Sequence, residues 1–330
     1  MLTLHLMTTP DSAALWHGSV LFAPTFVHLA HSADTIGAKI IYSGSDETIR
    51  GVLANNLVDS AAETFDLSEA VFFTPETLKE TLESGTLSPN AVPMTDCERL
   101  SAVEETFRAE IVTKHLRNGV RIVGASTVFI APMAEIEPGV TILPGTIISG
   151  RTVIHSGATL GPNSLLDNAE IGCGTTVNSS QIVDSSVGEN TTVGPFAYLR
   201  AGTTVGSHCR VGDFVEMKNS HIADGTKASH LTYVGDSDVG SNVNFGCGTV
   251  TGNYDGINKH RTTIHDNAFI GCNTNLVAPV TVGEWGYTAA GSTITEDVPP
   301  YTLAIARART VHKEGWSHKI KLLKEQKNKK

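Results

Sequence analysis

Aliphatic residues recur at every sixth position through the middle of the chain. One run is Ile130, Ile136, Ile142, Ile148, Ile154 and Leu160; a second is Val187, Val193, Leu199, Val205, Val211 and Met217. Glycine often follows, as in Leu160-Gly161, Val187-Gly188, Val193-Gly194, Val205-Gly206 and Val211-Gly212. A period of six matches neither the 3.6 of a helix nor the 2 of one long strand. It predicts a short strand and a corner, repeated around a triangular coil, with each face sending one aliphatic side chain to the axis. Stacked coils bury a continuous apolar column that no single coil could build. The Val, Ile and Thr content of the repeat suits such short strands.

Outside the repeat the pattern changes. Residues 1–94 read as alternating helix and strand: a helix over Thr25–Ile36, a buried strand over Ala38–Tyr42, a helix over Asp46–Leu57 and a strand over Leu67–Phe73. Thr74 then caps a helix that has Pro75 at its first position, runs to about Glu83 and stops at Gly85. Over residues 95–118, Leu100, Val103, Phe107 and Ile111 fall on one helical face, Thr95 or Asp96 can cap the start and Gly119 ends it. This reads as a helix connecting the first segment to the solenoid. The repeat domain spans 119–306. It is interrupted at 251–262, a polar stretch with no hexad, of the kind that carries function at a solenoid corner. Residues 307–330 form a basic tail with nine Lys or Arg against Glu314 and Glu325.

Composition narrows the classes. The formal net charge of -10 argues against nucleic acid as a partner. Cys97, Cys173, Cys209, Cys247 and Cys272 are scattered without CxxC pairing, which favours a reducing compartment. The opening residues, broken at Thr8–Ser12, lack a basic start followed by an apolar core, and no segment is long and apolar enough to span a membrane. The expectation is a cytoplasmic protein without a membrane partner.

The densest polar constellation lies between 213 and 259. It contains Asp213 to Lys218, Gly225 to Asp236, Asn242 to Asn244 and Gly252 to Lys259. Here the apolar column persists while outward positions become charged, bringing Lys218, Lys227, His230 and Tyr233 close together. Taken singly, each is an ordinary solvated group; the cluster beside a repeat-breaking loop points to a site.

The stretch Val193–Trp316 resembles the acetyltransferase half of the bifunctional bacterial enzyme N-acetylglucosamine-1-phosphate uridylyltransferase/glucosamine-1-phosphate N-acetyltransferase. The matching phrases are VGPFAYLRAG, VGDFVEMKNS, GTKASHLTYVGD, NVNFGCGTVTGNYDG, LVAPVTVG and LAIARARTVHKEGW. The connecting helix and earlier hexads resemble that family more loosely. The resemblance implies a mainly β chain, a left-handed parallel β-helix preceded by a small α/β segment, assembled as a homotrimer with sites between subunits. It implies acetyl transfer from acetyl-CoA, a co-substrate, to the amine of glucosamine 1-phosphate, with no metal needed. That chemistry requires a base for the amine proton, cations for the phosphate and a donor for the oxyanion. By the resemblance, His230 is the base; Glu216, two residues before Lys218, is a candidate to orient it. Arg200 and Lys218 match the phosphate-holding positions, and Tyr233, Asn244 and Lys259 the other sugar-phosphate contacts. Cys247, Asn253, Tyr254, Cys272, Ala290 and Arg307 match acetyl-CoA positions. Cys247 stands where a small Ala is expected and Cys272 where a Ser is; both are read as neutral changes, since backbone groups can make those contacts.

Residues 1–94 resemble fragments of the family's nucleotidyltransferase half, at Gly44–Arg50 and Phe73–Leu78. They lack the opening strand followed by a Gly-rich, cation-bearing loop that would cradle a triphosphate; His17–Val20 has no partner glycine and no cation. Uridylyl transfer is therefore expected to be absent, and a separate uridylyltransferase becomes a candidate partner. Two other readings compete. One is a metal-dependent hydratase on the same solenoid using His208, His221 and His230. The other is a non-catalytic scaffold or regulatory subunit for a separate uridylyltransferase, and within the acetyltransferase reading another amino-sugar phosphate is the alternative acceptor.

Overall fold

The computed structural model describes residues 3–8, 19–20, 23–58, 65–67 and 70–327. Thr9–Ser12, His17–Gly18, Ser68–Glu69 and the last three residues of the basic tail lie outside the described residues. From Arg121 onward the chain winds as a left-handed parallel β-helix. Strands of two to four residues stack every third strand into three parallel sheets. The first face runs from Glu135–Ile136 to Val280–Val282, the second from Arg121–Ile122 to Leu303–Ala304, and the third from Phe129–Ile130 to Thr293–Ile294.

The hexad aliphatics are the reason for this winding. Every member of both runs is buried, most completely, in one column that continues through Ile270, Leu276 and Val282. Each coil pairs in register with the next, as in Leu199↔Met217 and Met217↔Val234. Buried threonines tie the corners: Thr249 donates to the Gly246 carbonyl and Thr274 to the Gly271 carbonyl, each at 2.7 Å. Gly246 is required there, since a Cβ would sit 2.4 Å from the Cys272 amide of the next coil. The ladder pairs Ala228 with Phe245 and then Phe245 with Ile270; the wider stride holds the polar loop that interrupts the hexads.

Helix α1 spans Thr25–Ile36, α2 Glu47–Leu53, α3 Pro75–Ser84, α4 Cys97–Arg117 and α5 Trp316–Lys327. Thr74 caps α3 with Pro75 at the first turn, and Gly85 closes it in the left-handed region at φ 68°. Ile111 and Val112 of α4 join the solenoid column, so this helix closes its N-terminal end. Phe107 faces the other way as well, meeting His28 and Phe72 edge-on at ring-centroid distances of 5.3 and 5.8 Å.

The first segment differs from its sequence reading in three places. Thr3–Met7 is a strand at the centre of a three-stranded parallel sheet, between Lys39–Ser43 and Phe65–Leu67. Its alternating Leu4 and Leu6 are fully buried. The expected strand over Leu67–Phe73 is divided between Phe65–Leu67 and Val71–Phe72, in two different sheets. The expected helix from Asp46 to Leu57 ends at Leu53 and continues as one tight turn over Ala54–Asn56.

Because Leu199 is fully buried in the strand that carries Arg200, Leu199→Ala removes side-chain volume from the column between two coils. The expected loss is about 2–5 kcal/mol, read as a lower guanidinium midpoint for the solenoid. An unchanged midpoint would mean that the column does not hold these coils together.

Candidate functional site

The site is built by two features of the solenoid: the corner between the second and third faces, and the outward side of the third face. His230 ends the second-face strand Lys227–His230, and Leu231 turns the corner at φ 43°. One coil earlier, Asp213 ends the strand Arg210–Asp213, and Phe214 turns the same corner at φ 56°. The ladder places Asp213 directly opposite His230, and His230 Nδ1 lies 2.9 Å from Asp213 Oδ1. That hydrogen bond holds the Asp213 carboxyl below its ordinary range, helped by its own backbone amide and by the Arg210 guanidinium. The His230 side chain is 55% exposed, so its other ring nitrogen is open to a ligand.

On the third face, Arg200 pairs in register with Lys218, and Glu216 with Tyr198 and Tyr233. Glu216 accepts from Arg200 Nη1 at 2.7 Å. The carboxylate expected to orient His230 is therefore engaged by Arg200 of the same chain, and the carboxylate that meets His230 is that of Asp213. Arg200 also lies over the Tyr198 ring at 5.8 Å. Lys218 is held below the ordinary ammonium range, first by its close approach to Lys259 and then by the charges of Lys259 and Arg200. Three cations thus crowd together, an arrangement that an anion would stabilise.

Lys259 comes from the loop 253–261. Asn253 donates its amide to Asp236, which also accepts from Asn219 at 2.6 Å. Arg261 forks onto Asp238 at 2.8 and 2.6 Å and reaches the Asn219 carbonyl. At the tip, Asp255 accepts from the Ile257 and Asn258 amides at 2.7 and 2.6 Å and lies 2.8 Å from His260 Nε2. The Asn258 amide, then His260, then the Ile257 amide hold its carboxyl down at about 2.

The remaining candidates divide between two edges. Cys247 and Cys272 occupy the corner position of His230 in the next two coils, with Asn273 N donating to Cys247 O and Gly291 N to Cys272 O, each at 2.8 Å. Ala290 tops this column, and Arg307 lies beside the adjoining Gly291. Asn253 and exposed Tyr254 stand instead on the loop at the opposite edge of the third face. Asn244 is on the second face, in register with Lys227. His208, His221 and His230 fall on a corner, the first face and another corner. Among the described residues no three His, Cys, Asp or Glu converge to hold a metal. The feature that sequence reasoning missed is Asp213; its signal was the coil length separating it from His230, not its motif neighbours.

This cluster lies on an open surface. A cavity of about 220 Å³ lies elsewhere, between α1, the start of α3 and α4, and contains none of these residues. Beside the site, Phe196, Phe214 and Leu231 form an exposed apolar corner column, the two phenyl rings stacked at 5.5 Å. No helix among the described residues is long and apolar enough to cross a membrane.

The fold is that of a hexapeptide-repeat solenoid, and residues 184–219 match the bacterial transferase hexapeptide family, described as six repeats. The chain is 49% identical over 225 residues to the bifunctional protein GlmU of Brevibacillus brevis, covering 68% of this chain and 49% of that protein. It is 52% identical over 226 residues to GlmU of Clostridium acetobutylicum, covering 68% and 50%. The chain spans about half the length of the curated relatives it matches. Among solved structures, the Arabidopsis UDP-N-acetylglucosamine acyltransferase is similar at 16% identity and a TM-score of 0.34, covering 60% of this chain and 80% of that one.

A carboxyl whose folded pKa is depressed contributes stability that is complete above its unfolded value and lost as pH falls through the folded one. The loop should therefore stay closed at neutral pH and loosen only as pH falls towards about 2. At neutral pH, Asp255→Ala should accelerate hydrogen exchange at the Ile257 and Asn258 amides, and unchanged protection would show that the carboxylate does not hold the loop.

Proposed function

We propose that the chain transfers an acetyl group from acetyl-CoA to the amine of glucosamine 1-phosphate, yielding N-acetylglucosamine 1-phosphate for UDP-N-acetylglucosamine and cell-wall precursor synthesis. The observation that carries this reading is the gathering of Arg200, Lys218 and Lys259 beside Tyr233, three residues beyond His230. A sugar phosphate seated on those cations presents its amine to the imidazole. His230 takes a proton from the attacking amine as the bond to the acetyl carbonyl forms. The CoA thiolate then departs, and a backbone amide of the Cys247–Cys272 corner column supplies the oxyanion donor. Arg200 offers a planar fork for two phosphate oxygens and Lys218 a compact charge. Arg307 and the basic tail face the CoA phosphates.

The working form is a homotrimer. Supporting this, the candidate residues are spread over the second face, the third face and both its edges, so one protomer leaves them on an open surface. The apolar column Phe196, Phe214 and Leu231 is also exposed beside them, at a corner where positive φ is uncommon for such residues. A second copy packed there would both cover the column and bring another second face, with its Asn244, towards the third-face cations.

Residues 1–94 serve stability or the docking of a separate uridylyltransferase rather than uridylyl transfer. The chemistry of that transfer needs acidic groups to hold Mg²⁺ and a loop for the triphosphate.

His230→Ala should lower kcat at least about a hundredfold, the range of a general base, under saturating substrates. Unchanged turnover would remove His230 from the mechanism. Arg200→Ala should raise the KM for glucosamine 1-phosphate far more than that for acetyl-CoA; equal weakening would make it structural. A pyrophosphate-release assay with UTP, Mg²⁺ and N-acetylglucosamine 1-phosphate should give no turnover, and turnover intrinsic to this chain would overturn that part of the reading.

A further inference from the structure

The corner column contains a carboxylate that the transfer chemistry outlined above does not use. Asp213 and His230 occupy the same position in consecutive coils, where strands lie about 4.8 Å apart. Their backbones are locked together, with Leu231 N donating to Asp213 O at 2.9 Å, and each side chain sits immediately before a left-handed corner residue. The ladder keeps the two residues opposite each other on neighbouring coils. The only hydrogen-bonding atoms of an ionised carboxylate are acceptors, so the 2.9 Å contact requires a proton on His230 Nδ1. Glu216, on the third-face strand that follows Asp213, is drawn away by Arg200.

We infer that Asp213 is the positioning residue of His230: it holds the neutral imidazole with Nδ1 protonated, aims the unprotonated Nε2 outward at the amine, and stabilises the imidazolium formed when Nε2 takes the proton. The logic is that of a base oriented by a third group, in which the carboxylate fixes tautomer and ring direction without itself taking the proton. The solenoid supplies the geometry by register alone, one coil providing the acceptor and the next the base. The kinetic consequence rests on the acetyl-transfer reading; the tautomer does not.

The test uses the full chain labelled with ¹⁵N-histidine, with His230→Gln identifying the His230 ring signals. Spectra are recorded at about pH 8, where an ordinary imidazole is neutral. In the wild type the ring nitrogens should report protonated Nδ1 and unprotonated Nε2. Asp213→Ala should shift the ring towards the opposite tautomer. Asp213→Asn should retain the original one, because the carboxamide oxygen still accepts. With glucosamine 1-phosphate and acetyl-CoA, Asp213→Ala should lower kcat by about tenfold to a hundredfold with both KM values held. Asp213→Asn should fall between wild type and Ala. Because Asp213 is partly exposed, both variants should keep the wild-type melting temperature. An Asp213→Ala chain that keeps the Nδ1-protonated tautomer, or keeps wild-type kcat, overturns the inference. If the wild type shows no acetyl transfer, the proposed function fails, while the ring-nitrogen spectra still decide the role of Asp213.

Discussion

In-register stacking of the coils is the constraint on which everything else depends. Each backbone ladder fixes a residue opposite its counterpart one coil away, so outward side chains form columns rather than scattered points. The buried aliphatics supply the favourable free energy, since stacking is what removes them from water. The columns that follow are of two kinds. On the third face, Arg200 and Lys218 are paired by the ladder. At the corner, Asp213, His230, Cys247 and Cys272 follow one another coil by coil. A pair of groups that must meet therefore needs only the same position in neighbouring coils.

The same rule carries an electrostatic cost. Stacking brings Arg200 and Lys218 together, and the inserted loop adds Lys259. Glu216 neutralises part of this charge through Arg200, leaving Lys218 beside Lys259 with its ammonium form disfavoured. An isolated structural coil gains nothing from such crowding, whereas a phosphate would convert repulsion into charge-assisted hydrogen bonds. The loop that delivers Lys259 is correspondingly well tied, through Asn253 to Asp236, Arg261 to Asp238 and the Asp255 knot. These ties are polar, and Tyr254 and Ile257 at its tip stay exposed.

The architecture was legible because a six-residue period is written directly into the sequence, and caps such as Thr74-Pro75 with Gly85 mark a helix locally. The opening strand was not, because Leu4 and Leu6 offer too short an alternation to stand out; only its place between two other strands reveals it. At the site, motif resemblance picked out residues singly. Glu216, two residues before Lys218, stood out as the candidate to orient His230. The actual partner depends on coil length, and the coils vary: Val193 pairs with Val211, but Val211 with Ala228. The hexad alone does not reveal such shortened turns, so cross-coil partners stay hidden until the ladder is traced. The separation of Asn244 from the third-face cations was hidden for the same reason.

The most direct test of this account is a crystal structure of the chain with glucosamine 1-phosphate and CoA bound. The account predicts the phosphate against Arg200, Lys218 and Lys259, with the sugar amine within hydrogen-bonding reach of His230 Nε2 while Nδ1 remains on Asp213. A sugar phosphate bound away from these cations, or an amine remote from His230, would contradict it.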